Sequence, residues 1–273
     1  MPIRRTFLSL LLLSLVHTAA HASVASDFEK LAMALRDSAI LKADPPVVSA
    51  LTQPSTSGKY PWKRNIVTTV FWVGEKATAN NPVPNYKSSW DPSWHQSFGG
   101  FDNPDPSARR GYIPKAFIPR QNPFYVALPY NDVTHGTTKP ESTKVIPWFR
   151  DAFQQAGHSV CKGRWVAIRY RNRTAYAQWE DCGPFRTDHF QYVFGNDRPR
   201  PNLNQGAGLD VSPAVRDALG MGGKDVCDWR FVEAREVPPG PWMKYGDNNT
   251  FVLRSRGANL SVVDRNNARG LRN

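Results

Sequence analysis

The chain has 273 residues, of which 40% are apolar and 12% aromatic. That is enough to bury a sizeable core, and it excludes a wholly disordered chain. The one long apolar run stands at the N-terminus, which excludes a polytopic membrane protein. Lys and Arg number 35 against 23 Asp and Glu, a formal charge of +12. Such a balance points to an acidic partner without naming it.

Met1 to Ala22 read as a secretory signal. Arg4 and Arg5 form its positive end, Phe7 to Val16 its apolar stretch, and Ala20-His21-Ala22 the small-x-small cleavage pattern. Export to a bacterial periplasm or the extracellular space is the expectation, with cleavage after Ala22 and no stable membrane span afterwards. The anionic polymers met there are cell-wall glycans and lipid headgroups. The basic residues are scattered and form no nucleic-acid-binding fingerprint, so nucleic acid is not expected as a partner.

Ser26-Asp27-Phe28-Glu29 has the form of a capping box, and apolar residues at helical spacing then predict a helix over Asp27 to Leu41. Asp44 to Pro61, rich in Pro, Ser and Thr, reads as an extended arm. Asn65 to Trp72 is β-branched and aromatic and predicts a strand. A long irregular stretch follows, from Lys76 to Asn122. It carries Tyr86, Trp90, Trp94, Phe98, Phe101, Tyr112 and Phe117 without periodicity. Either a packed cap or a sugar-binding rim accounts for so many rings. Phe124 to Pro129 is a short strand. Pro147 to Gln155, followed by Gly157, reads as a short helix. Trp165 to Tyr170 and Thr174 to Asp181 form a hairpin around Asn172, and simple alternation places Trp179 and Asp181 on one face. Ser212 caps a helix with Pro213 at its first position and Gly220 at its end. Asp228 to Glu233 is a last core strand, and the tail is basic.

Export permits a disulfide among Cys161, Cys182 and Cys227. Cys161 and Cys182 flank the hairpin nearly opposite each other, which makes them the expected pair and leaves Cys227 free. The spacing suits no metal site, and no cofactor is implied.

Two segments carry a resemblance. The first is Trp179-Glu180-Asp181-Cys182-Gly183-Pro184-Phe185. The second is Gly208-Leu209-Asp210-Val211-Ser212-Pro213-Ala214-Val215, running on to Ala218-Leu219-Gly220. In this order they resemble the paired signatures of the double-psi β-barrel of rare-lipoprotein-A-like proteins and bacterial expansins. Ala127-Leu128-Pro129 looks like a further strand of that family. The resemblance implies a mainly β fold, a six-stranded double-psi β-barrel with short helices, an N-terminal helix and a long irregular insertion. The expected division is a signal over 1–22, helix and arm over 23–61, barrel over 62–240 with the insertion at about 76–122, and a basic tail over 241–273.

The resemblance also assigns the site. Asp210 takes the role of the essential acid, with Asp181 as its neighbour. Such a pair would cleave peptidoglycan in the manner of a lytic transglycosylase; a non-catalytic polysaccharide-binding module and an endoglucanase-like hydrolase are the alternatives. Glycosidic cleavage needs a carboxyl group that protonates the leaving oxygen. Asp210 lies just before a helix N-terminus, where the dipole favours the anion, whereas a nearby Asp181 would help one of the two stay protonated. Glu75, after the first strand, is the candidate second carboxylate that inverting hydrolysis would require. Helix stabilisation is the competing reading of Asp210, and turn capping that of Asp181. Trp179, Phe185, Tyr125, Tyr130 and Trp72 are the candidate sugar-binding rings, with core packing as the alternative for Trp179 and Phe185.

Overall fold

The computed structural model describes residues 58–78 and 81–257. The signal, the helix expected over Asp27 to Leu41, nearly all of the arm and the tail beyond Gly257 lie outside the described residues. Six strands close into a barrel: β1 (Lys63–Val70), β2 (Tyr125–Leu128), β3 (Trp165–Tyr170), β4 (Arg173–Cys182), β5 (Leu209–Val211) and β6 (Lys224–Val232). Around the barrel they run β1-β6-β3-β4-β2-β5. Two pairs, β1 with β5 and β2 with β4, are parallel; the other four are antiparallel. The protein is thus mainly β, with a few short helices. Among the described residues no helix is long and apolar enough to cross a membrane.

The hairpin β3–β4 turns at Arg171, whose φ is +54°, and pairs Trp165 with Gln178 through Tyr170 with Arg173. The helix α1 (Trp94–Phe98) lies in the long insertion. The helix expected over Pro147 to Gln155 shrinks to one turn, Phe149–Ala152, because the chain is already extended at Phe153. The helix after β5, here α2 (Pro213–Leu219), has the expected caps. Ser212 Oγ accepts from Val215 N–H at 3.3 Å, and Gly220 closes the helix at φ +69°. Beyond the barrel, Pro241–Met243 and a further helix over Thr250–Ser255 extend the fold, with Trp242 packed edge-on against Phe124 at 5.9 Å.

Side chains alternate along a strand, so β2 has two faces. Val126 and Leu128 belong to the main core inside the barrel. Tyr125 and Ala127 belong to a second core with Phe71, Val73, Trp94 and Phe98, onto which Phe117 packs. The insertion supplies much of that second core, and so it is in part a packed cap on the outside of the barrel. All four residues of β2 are buried.

A buried polar relay ties the cap down. The Tyr125 hydroxyl donates to Asp102 at 2.8 Å and accepts from Val73 N–H at 3.0 Å. Asp102 pairs with Arg109 at 2.5 Å, both side chains almost wholly buried, and Arg109 reaches on to Asp217 of α2 at 3.1 Å. Burial pushes the Asp102 carboxyl up, and the Arg109 guanidinium pulls it back. Removing one partner of a buried pair leaves the other unsatisfied. Arg109→Met is therefore expected to cost about 3 kcal/mol, measured as a lower urea midpoint, whereas exposed Arg256→Met should change it little. Equal effects of the two substitutions would refute the relay's role.

Candidate functional site

Strand registry builds a row of side chains on the outer face of the barrel. Thr69 of β1 pairs with Asp210 of β5, Asp210 with Ala127 of β2, and Ala127 with Asp181 of β4. The two acids thus sit on strands separated by one strand, a backbone separation of about 10 Å. On the strand between them the paired residue is Ala127, whose side chain is a methyl group. Gly183 lies over the same spot. A Cβ there would be 3.5 Å from Asp210 Oδ2 and 3.8 Å from the Ala127 methyl.

Simple alternation would have put Asp181 on the face of Trp179. The register of β4 against β2 shifts between Val126 and Ala127, so that Val126 faces Trp179 and Ala127 faces Asp181. This bulge inserts an extra residue and turns Asp181 outward while Trp179 stays in the core.

Each carboxyl group has its own partners. Asp210 Oδ1 accepts from the Thr69 hydroxyl. Asp181 Oδ1 accepts from the N–H groups of Ser89 and Cys182, both at 2.7 Å. Glu75 Oε2 accepts from Asn85 Nδ2 at 2.8 Å. Burial first, then the negative charges of Glu75 and Asp181, push Asp210 up to about 7, although the Thr69 hydrogen bond opposes the rise. Burial pushes Asp181 up to about 6 against its two N–H donors. Burial also raises Glu75. Among the described residues no three His, Cys, Asp or Glu side chains are placed to hold a metal ion together.

Asp210 does not supply the cap of the helix that follows it. Ser212 caps α2, and the Asp210 side chain turns along the row to Thr69 instead. The expected ring residues divide. Trp179, Tyr125 and Tyr130 are wholly buried and lie in the two cores. That corrects the reading of Tyr125 and Tyr130 as sugar-binding surface and decides for core packing at Trp179: Trp179 donates its indole N–H to Asp181 O at 2.7 Å, and the Tyr130 and Ser142 hydroxyls are hydrogen-bonded at 2.7 Å. Trp72 is half-buried with an unpartnered indole N–H, and Phe185 is 42% exposed. The expected Cys161–Cys182 disulfide is not formed; all three cysteines are free. The Cys182 thiol instead points to Tyr130 O at 3.1 Å, while Cys161 stays buried. Sequence reasoning missed Thr69, Ala127, Ser89 and Asn85, because none has distinctive chemistry until strand pairing and the cap bring it to an acid. Two open depressions, one of them about 550 Å³ and lined by Ser97, Arg120 and Asn248 among others, lie at residues other than the acids.

No family model matches the chain, and no curated protein matches it. Among solved structures, it is similar to the Streptomyces papain inhibitor, at 14% identity over 63% of this chain and 94% of that one, with a TM-score of 0.25. A likeness that remote carries no functional argument.

The raised carboxyl groups have a thermodynamic signature. The folded protein retains protons that the unfolded chain releases near pH 4, so stability is lost as pH climbs from about 4 to about 7. Wild type should therefore melt at a lower temperature at about pH 8 than at about pH 5. Asp210→Asn, which removes the buried charge, should flatten that slope and melt above wild type at the higher pH. Parallel melting profiles for the two proteins would show that Asp210 is not held protonated.

Proposed function

We propose that the protein is exported and acts on cell-wall glycan, cleaving peptidoglycan in the manner of a lytic transglycosylase, with a double-psi β-barrel of the rare-lipoprotein-A-like kind as its scaffold. The observation that carries this reading is the outward row Thr69–Asp210–Ala127–Asp181, in which burial and neighbouring negative charges push a half-buried carboxyl group up to about 7. Protonated Asp210 gives its proton to the glycosidic oxygen as the bond to the anomeric carbon breaks. The resulting carboxylate takes a proton from the sugar's own hydroxyl as that oxygen attacks the same carbon, which closes an anhydro ring. One acid/base suffices, and no activated water is needed. Asp181 and Glu75 act through charge, holding the Asp210 proton in place. Thr69 orients the Asp210 carboxyl.

A second reading has its own observation. Ser89, from the insertion, donates to Asp181, which is thereby covered and satisfied. A carboxylate so enclosed suits a structural anchor, and the module would then bind or loosen polysaccharide without making a product.

Incubation with peptidoglycan sacculi and, separately, with cellulose distinguishes the two. Wild type should release anhydro-muropeptides, detected by mass spectrometry, with a rate that falls above about pH 7 as Asp210 loses its proton. Asp210→Asn should lower that rate at least 100-fold while remaining folded. Retention of polymer without any soluble product would favour the binding module, and hydrolysed cello-oligosaccharides would favour an endoglucanase-like reaction using Glu75.

A further inference from the structure

The insertion is only in part a cap. Its Trp94 and Phe98 are buried, yet its Tyr86 and Phe101 are 44% and 42% exposed. Their neighbourhood is fixed by backbone contacts around Glu75. Gly74 N–H donates to Asn85 O at 2.8 Å, and Asn85 N–H donates to Glu75 O at 2.9 Å. Asn85 also holds the Glu75 carboxylate, and Tyr86 is the next residue along the chain.

His95 joins the two exposed rings. Its backbone N–H donates to the backbone carbonyl of Tyr86 at 3.0 Å, and its imidazole meets the Tyr86 ring edge-on at 5.8 Å. Gly74 has φ +83°, and a Cβ there would lie 3.0 Å from both the His95 ring and the Phe101 ring. Both rings therefore close over the Gly74 backbone, immediately before Glu75. A side chain at that position would displace them.

From this geometry we infer that Tyr86, His95 and Phe101 form an aromatic platform on which a polysaccharide chain lies as it enters the acid row. The inference rests on the glycan reading of the site. Exposed rings offer apolar faces to the C–H faces of a pyranose, and interleaved polar groups such as His95 suit its hydroxyls. The platform closes over Gly74, the residue immediately before Glu75, which places the rings at the Glu75 end of the site. It replaces as binding surface the rings of Trp179, Tyr125 and Tyr130, which the cores enclose.

The test is sedimentation binding to peptidoglycan sacculi and to cellulose, with product release followed in the same tubes. Four proteins are compared: wild type, the Tyr86→Ala/Phe101→Ala double variant, Tyr86→Trp and Asp210→Asn. The double variant should bind its polymer at least 10-fold more weakly, with a thermal melt close to that of wild type. Tyr86→Trp should retain binding, and Asp210→Asn should bind as wild type does. Wild-type binding without product, lost in the double variant, would leave the platform standing and sink the catalytic reading. Product release with unchanged binding by the double variant would sink the platform and leave the catalytic reading intact. If wild type binds neither polymer and instead retains another protein, the platform is overturned as a glycan site.

Discussion

The double burial of β2 is the constraint on which the rest depends. A barrel wall needs one apolar face; Tyr125–Leu128 has two, because Val126 and Leu128 fill the barrel while Tyr125 and Ala127 face outward. An outward tyrosine left in water would not need a roof. Here its ring meets Phe71, Trp94 and Phe98 at centroid distances of 5.3 to 5.9 Å, and its hydroxyl is paid in full by Asp102 and Val73. Each such ring contributes about 1.5–3 kcal/mol on burial. The insertion is held in place by that second core and by the buried ion pair beneath it.

The same roof sets the proton affinity of the acids. Ala127 lies two residues after Tyr125 on the same face, and it is the spacer between the two acids. Drawing the insertion down over Tyr125 brings Ser89 onto Asp181 and Asn85 onto Glu75. Loss of hydration is the first cause of the rise at Asp210, Asp181 and Glu75 alike. Packing and proton affinity are thus two consequences of one arrangement.

Elements governed by local rules were legible in the sequence. The β3–β4 hairpin and the caps of α2 follow from alternation, from Ser212 before Pro213 and from Gly220 after Leu219. The closed barrel was legible only through the resemblance of two motifs, since β5 is three residues long and carries no periodicity of its own. The bulge that parts Asp181 from Trp179 was illegible, because a bulge is decided by the partner strand and not by the strand that bears it. Tyr125 and Tyr130 looked like surface rings, and Trp179 fitted a surface or a core equally well. An aromatic beside a motif reads identically whether the next layer of structure covers it or leaves it open.

That ambiguity bears on the role of the acids themselves. A carboxyl group can be raised by simple enclosure, as Asp102 is, and Asp102 spends its proton affinity on Arg109 and Tyr125 within a sealed core. Asp210 differs in its surroundings. Its nearest titratable influences are like charges, Glu75 and Asp181, and its one side-chain partner is a neutral hydroxyl. Among the described residues no cation is a partner of that carboxyl, so taking up a proton relieves the repulsion within the row. A fold built for stability alone would gain by pairing that carboxyl or replacing it with an apolar residue. A half-buried acid kept uncompensated beside two others is an arrangement that costs stability, and such costs concentrate where a protein does chemistry.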